Sequence, residues 1–148
     1  MYITPLTRND CEQAALLHQA AFFKGWKEKD FQEFLGDPLV HGLKIEESHN
    51  LSGYILWREV DDEAEILTLV VASPHQRKGR GSLLLSALNE ILPKKNIQKL
   101  FLEVAEDNIQ AQAFYTKHHF LLLGKRPHYY PRQKGLPIPA FIFFKKFV

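Results

Sequence analysis

The sequence predicts an α/β domain built on a mixed sheet. Two observations carry that prediction. The apolar run Ile66–Val71 is followed by a glycine-containing turn, a leucine-rich helical stretch and a second apolar run, Lys99–Val104. Strand, helix and strand within that length imply a parallel crossover. Ahead of it, Leu39–Glu46 and Leu51–Val60 read as strands joined by the polar turn Glu47–Asn50, so hairpin pairing precedes the crossover.

The remaining elements follow in order. Met1–Leu6 reads as a short first strand, and Thr7 or Asn9 can cap the helix after it, with Asp10 or Glu12 favourable in its first turn. Ala14, Leu17, His18 and Ala21 recur there at helical spacing; Cys11 and His18 share that face as a small core residue and a half-buried imidazole. Trp26–Gly36 is a second amphipathic helix, striped by Phe31, Phe34 and Leu35 and stopped by Gly36-Asp37-Pro38. The aromatic link Phe22–Trp26 either packs a helix corner or walls a groove. Glu59, Asp61, Asp62, Glu63 and Glu65 form either a solvated acidic turn or a negative rim that attracts a cationic substrate. After the crossover helix, ended by Pro93, Asp107 is read as the cap of a helix over 108–118, with Gln110 completing a capping-box-like pattern. Asn108, Ala111 and Tyr115 line one face of that helix; Ile109, Ala113 and Phe114 are assigned to the core face. Phe120–Leu123 and Pro139–Phe147 read as closing strands, with Lys125–Pro131 as a stiff aromatic loop suited to peptide or substrate binding.

Composition narrows the class. The 148 residues suit one domain, 1–148, with 45% hydrophobic and 24% charged residues, as in water-soluble globular proteins. A net charge of +2 is too mild to argue for nucleic acid. A single cysteine excludes an internal disulfide and suits a reducing compartment. No signal-peptide pattern and no membrane-length apolar run is seen, so a cytoplasmic protein is expected. Histidines 118 and 119 point to different helix sides, and no metal-ligand spacing appears.

The chemistry gathers after Val71. Ala72-Ser73-Pro74 ends the strand, because proline cannot donate to a ladder and restricts the residue before it. Gln76-Arg77-Lys78-Gly79-Arg80-Gly81 follows, and a helix begins at Ser82. Gly79 and Gly81 permit a tight turn and close backbone approach. A helix start offers unpaired N–H groups and positive dipole character, and three cations share the loop: together they read as a pyrophosphate cradle, or else as an ordinary basic turn before a helix. The spacing fits neither the nucleoside-triphosphate loop nor the full dinucleotide fingerprint. Two further residues stand out. Glu103 interrupts an otherwise apolar strand, and a carboxylate there must be paired with an Arg or Lys or be used chemically. Tyr115 is either a packed aromatic or a working phenol.

Gln-Arg-Lys-Gly-Arg-Gly resembles the Arg/Gln-x-x-Gly-x-Gly/Ala loop of the GNAT acetyltransferase superfamily, which grips the pyrophosphate of acetyl-CoA. The element order (strand, two helices, three antiparallel strands, glycine loop and helix, strand, helix, two strands) matches that fold across nearly the whole chain. The resemblance implies a mostly antiparallel central sheet with helices on both faces. LFLEVAEDNIQAQAFY followed by KRPHYYP is similar to the bacterial ribosomal-protein alanine N-acetyltransferases, which acetylate the α-amino group of a ribosomal protein's N-terminal alanine. This implies Glu103 as general base, Tyr115 as general acid and Asn108 on the CoA arm. It also implies that the backbone of Leu69, Val70 and Val71 binds the pantetheine and acetyl carbonyl, and that Gln76–Ser82 binds the pyrophosphate. Tyr129 and Tyr130 would wall the acceptor groove. Partners would be acetyl-CoA and a protein N-terminus, with no nucleic acid, membrane or metal. One departure is that His119 stands where the family has glycine after the tyrosine helix, so that helix is expected to end in another geometry.

The residue types suit direct transfer: Glu103 takes the proton of an attacking amine, strand N–H groups at Val70 and Val71 stabilise the oxyanion, and Cys11 has no part. Two alternatives remain, a GNAT enzyme for a small-molecule amine and a non-catalytic acyl-CoA-binding module.

Overall fold

In the computed structural model, which describes residues 2–147 and at position 128 the backbone alone, the strands are β1 (Tyr2–Pro5), β2 (Val40–Glu47), β3 (Asn50–Val60), β4 (Glu63–Val71), β5 (Lys99–Ala105), β6 (Leu121–Tyr130) and β7 (Ile138–Lys146). The helices are α1 (Cys11–Ala21), α2 (Glu28–Gly36), α3 (Arg80–Lys94) and α4 (Ile109–Lys117). The sheet order is β1-β2-β3-β4-β5-β7-β6. Every neighbouring pair is antiparallel except β4–β5, the parallel join made by the α3 crossover. The fold class is therefore the expected one: a mixed, mostly antiparallel sheet.

Helices cover both faces because the strands alternate. Ile45, Ile55, Trp57, Leu100, Leu102 and Val104 meet Leu84, Leu85, Leu88 and Leu92 of α3, with Tyr115 of α4 in the same cluster. Leu6, Tyr54, Leu56 and Val70 meet Cys11 and Ala14 of α1 and Phe31 of α2 on the other side. The Tyr54 hydroxyl donates to the Ala14 carbonyl at 2.8 Å, so the deepest phenol on this face is satisfied. No helix among the described residues is long and apolar enough to cross a membrane.

Several local expectations need correction. Met1 lies outside the described residues; Tyr2–Pro5 form the strand expected at 1–6. Thr7 opens a short 3-10 turn, Arg8–Asp10, before α1 starts at Cys11. The second helix starts at Glu28, not Trp26, because Trp26 packs against His18 instead, rings stacked with centroids 4.4 Å apart. α3 starts at Arg80 and carries Pro93 in its last turn, ending at Lys94. Asp107 does not cap α4. Asn108 does, its side-chain oxygen accepting the Ala111 N–H at 3.1 Å, while Asp107 pairs with the Arg132 guanidinium. On α4 the core face is Ala111, Phe114 and Tyr115, and Ile109 is 68% exposed. Lys125–Tyr130 is not a loop but the second half of β6, held by β7 through Lys125↔Phe141, Arg126↔Ala140 and Tyr130↔Ile138. Pro127 fits there because the register slips between Arg126 and Tyr130.

His119 also overturns an expectation. Its φ is 71°, so histidine takes the left-handed conformation that glycine usually supplies. The helix end is kept: the His119 N–H donates to the Thr116 carbonyl at 3.1 Å and the Phe120 N–H to the Tyr115 carbonyl at 3.0 Å. That is the two-bond Schellman closure, held at some steric cost. His119→Gly is expected to stabilise the fold by about 0.5–1 kcal/mol, the relief of left-handed strain less the added freedom of the unfolded glycine. A urea midpoint no higher than that of the native chain would contradict this.

Candidate active site

β4 and β5 begin side by side and then part. Their pairing is confined to Glu63↔Lys99, Ala64↔Leu100 and Glu65↔Phe101. Beyond Glu65, the β5-facing edge of β4 has no strand partner among the described residues, which opens a cleft in the middle of the sheet. A bulge marks the parting point. Leu56 opposes Thr68 and Trp57 opposes Ile66, so Leu67 is an extra residue that bends β4 and switches which face its side chains reach. Leu69, Val70 and Val71 lie on this unpartnered stretch, where unpaired backbone groups need an acceptor or donor from elsewhere.

The α3 N-terminus stands at the C-terminal end of β4. Gly79 has φ 82°, and a Cβ built on it would meet nothing within 4 Å. A Cβ on Gly81 would lie 3.3 Å from the Phe114 ring, so the loop leans directly on α4. The N–H groups of Arg80, Gly81 and Ser82 have no acceptor among the described residues. Open space, orphan donors and a helix dipole fit the pyrophosphate of acetyl-CoA.

The loop side chains are less uniformly available. Gln76 folds back, its amide donating to the Val71 carbonyl at 3.0 Å. The Arg80 guanidinium is bound by Glu47 at the β2–β3 turn, and His75 Nδ1 lies 3.0 Å from the other carboxylate oxygen. Ser82 Oγ is 2.9 Å from His118 Nε2. Arg77 and Lys78 are exposed. The cradle's positive character thus rests on its backbone, Arg77 and Lys78, while Arg80 anchors the loop to the hairpin. Asn108, committed through its oxygen to the α4 cap, has only its amide NH₂ left to offer a ligand.

Glu103 sits on β5 just past the last paired position, its side chain 17% exposed. The Arg126 guanidinium pairs with it at 2.8 Å. Burial pushes the carboxyl above the usual range; Arg126 opposes this, Glu65 adds to it, and the neighbouring Tyr129 hydroxyl opposes it more weakly. Of the two possibilities raised by the sequence the structure shows the pairing, and the carboxyl's proton affinity is raised in spite of it. The Tyr130 hydroxyl donates to the Glu103 backbone carbonyl at 3.1 Å, and its pKa is pushed up to about 12, chiefly by burial. Tyr129 packs edge-on against Tyr130 and carries the Arg126 guanidinium 4.6 Å above its ring. Tyr115 is buried between Phe114 and Phe120, and burial, with the charge of Tyr130 adding to it, pushes its phenol well above the ordinary value.

β5, β6 and α4 thus gather Glu103, Tyr129 and Tyr130, with Tyr115 close enough to sense Tyr130. Among the described residues no group of three His, Cys, Asp or Glu could hold a metal ion. Residues 11–120 match the acetyltransferase (GNAT) family. The chain belongs to this family. It is an acetyl-CoA-dependent N-acetyltransferase. The acetyltransferase is 29% identical over 133 residues to the ribosomal protein bS18-alanine N-acetyltransferase of Escherichia coli strain K12, across 90% of this chain and 89% of that one. It is 30% identical over 133 residues to the Haemophilus influenzae enzyme of the same name, covering 90% of each. The crystal structure of the Escherichia coli ribosomal-protein-S18-alanine N-acetyltransferase superposes with a TM-score of 0.91 at 28% identity, over 98% of this chain and 92% of that one. Arabidopsis thaliana NAA60 in complex with acetyl-CoA shares the fold, with a TM-score of 0.84 at 16% identity over 98% of this chain and 97% of that one.

Three neighbours of the candidate site residues escape a reading of the sequence. Arg126 stands within KRPHYYP, and its signal was the need of a buried carboxylate for a cation. Glu47 and Glu65 gave no signal beyond ordinary acidic turn and rim residues.

Proposed function

We propose that this acetyltransferase acts on the α-amino group of a protein N-terminus, with the N-terminal alanine of a ribosomal protein as acceptor. The observation that carries the reading is Glu103, an enclosed carboxylate with raised proton affinity where β4 and β5 part, beside Tyr129 and Tyr130. The bacterial relatives, named as ribosomal protein bS18-alanine N-acetyltransferases, support it. A cytoplasmic location follows from such an acceptor, and 1–148 acts as one domain.

Acetyl-CoA supplies an acetyl thioester. Leu69, Val70 and Val71 offer backbone groups to its pantetheine arm and acetyl carbonyl. Gln76, Arg77, Lys78, Gly79, Arg80, Gly81 and Ser82 form the pyrophosphate loop, with the α3 N–H groups as the main donors, and Asn108 turns its amide NH₂ to the CoA arm. Glu103 removes the proton from the incoming α-ammonium, which leaves a neutral nucleophile and a neutral carboxyl. Tyr115, whose phenol burial keeps protonated, gives its proton to the sulfur as the C–S bond breaks and is re-protonated by the second proton that the nitrogen sheds as the amide forms. Tyr129 and Tyr130 wall the acceptor groove. Cys11, fully buried at the start of α1, takes no part, so transfer is direct.

The test is acetyl-CoA-dependent release of CoA with three acceptors: a peptide with a free N-terminal alanine, its N-blocked twin carrying a lysine, and a polyamine. Turnover is expected on the free N-terminus alone. Turnover on either of the others instead would move the enzyme to side-chain or small-molecule amines.

A further inference from the structure

We propose that Arg126 is a positioning residue for the acceptor: its guanidinium occupies the ammonium subsite on Glu103 and is exchanged for the protein's α-ammonium when the acceptor enters. The inference rests on Glu103 being the base that receives the acceptor. Four observations carry it. The pair is close, Nη2 to Oε1 at 2.8 Å, yet lopsided, with Arg126 51% exposed and Glu103 17%. The cation, only half covered, can leave for water with little burial to undo, whereas the carboxylate stays enclosed. Glu103 is also not its only partner, since in the same position the guanidinium lies 4.6 Å over the ring of Tyr129, itself 45% exposed. Its backbone stands where β6 slips register between Arg126 and Tyr130, so the side chain can swing while the Arg126↔Ala140 pairing holds. Finally, guanidinium and α-ammonium are both cationic N–H donors, so one carboxylate serves either but not both at the same oxygen.

The exchange has a chemical consequence. Among the described residues, the charged and titratable groups that face Glu103 are Arg126, Tyr129 and Tyr130 from β6 and Glu65 from β4, while its β7 neighbour, Ile142, is apolar. Arg126 is the strongest influence that keeps the carboxyl ionised; burial and Glu65 favour the protonated form. While the guanidinium is docked, Glu103 waits as a carboxylate. When the guanidinium moves off, the carboxylate holds a proton more tightly, at the step where it must take one. One ammonium N–H bond breaks and one carboxyl O–H forms, and Arg126 keeps its own charge throughout.

The test is Arg126→Gln beside Arg126→Lys, assayed at saturating acetyl-CoA with a peptide bearing a free N-terminal alanine. Loss of the competing cation is expected to lower the peptide KM about two- to fivefold, the range a half-exposed ion pair represents. The acid limb of the pH–rate profile should move to higher pH, the KM for acetyl-CoA should hold, and Arg126→Lys should restore both native values. A peptide KM that is unchanged or higher in Arg126→Gln would overturn the exchange. A ¹³C NMR titration of the Glu103 carboxyl in the acceptor-free protein keeps the inference separable from the acceptor assignment. Arg126→Gln should raise that midpoint whatever the acceptor, and an unmoved midpoint overturns the proposal. Turnover that survives Glu103→Gln would instead sink the base assignment beneath it.

Discussion

Glu103→Gln is expected to reduce kcat by about 10²- to 10⁴-fold, the usual contribution of a positioned general base. The amide keeps the shape of the carboxylate and can still accept from Arg126, but it cannot take a proton from an ammonium. Acetyl-CoA affinity should hold, because the cradle belongs to the start of α3 and the cleft edge to β4, whereas Glu103 stands on β5. Equilibrium binding of CoA and single-turnover acetyl transfer measure the two separately. In the native enzyme the raised carboxyl sets the acid limb: activity appears as pH rises through the Glu103 midpoint, which lies above the ordinary glutamate value. Native-like turnover in Glu103→Gln would remove the proton-transfer role and return the residue to a structural partner of Arg126.

The second large effect concerns stability. His18 is 5% exposed and buried in the corner where α1, α2 and β4 meet. Its Nδ1 accepts the Trp26 N–H at 2.9 Å, which leaves the Nε2 hydrogen to face Thr68 Oγ1 at 3.2 Å. Protonation would put a second hydrogen against the Trp26 N–H. Burial accordingly pushes the imidazole down to about 4 from 6.5. The unfolded chain therefore binds the extra proton first as pH falls, and stability is lost across the window from about 6.5 to about 4. The loss amounts to about 3 kcal/mol, a large share of a small domain's total stability. His118, lowered by burial and neighbouring lysines, adds in the same direction, while Glu103, raised, works against it. The carboxylates paired in the fold, such as Asp10 and Glu59, lose their stabilisation at lower pH. Urea unfolding at several pH values should show this slope, and His18→Asn, which keeps an acceptor for Trp26, should flatten it. Parallel curves for the two proteins would refute the assignment.

The same corner explains why the second helix starts late. Helical spacing in Phe31, Phe34 and Leu35 was readable, but Trp26 is drawn out of the helix by a hydrogen bond and a ring stack to a residue eight positions earlier. α4 shows the same limit. Asp107 and Asn108 are both good caps by type, and the choice fell to Asn108 because Arg132, on the β6–β7 connection, claims Asp107. Polar side chains have several acceptable partners, and which partner arrives is a tertiary matter.

The sequence by itself determined the element order, the crossover, the glycine loop before α3 and the family. These rest on apolar periodicity, turn chemistry and contiguous motifs, all properties of neighbouring residues. It also marked Glu103 as out of keeping with its strand, and left Tyr115 as either a packed aromatic or a working phenol. Only the tertiary structure decided that β4 and β5 separate after Glu65, that Lys125–Tyr130 is strand, and that His119 keeps a glycine's turn. It alone brought Arg126 to Glu103 and Glu47 to Arg80, across 23 and 33 residues of chain. Charge pairing at such separations depends on how two distant strands come to lie together, and no local pattern encodes it.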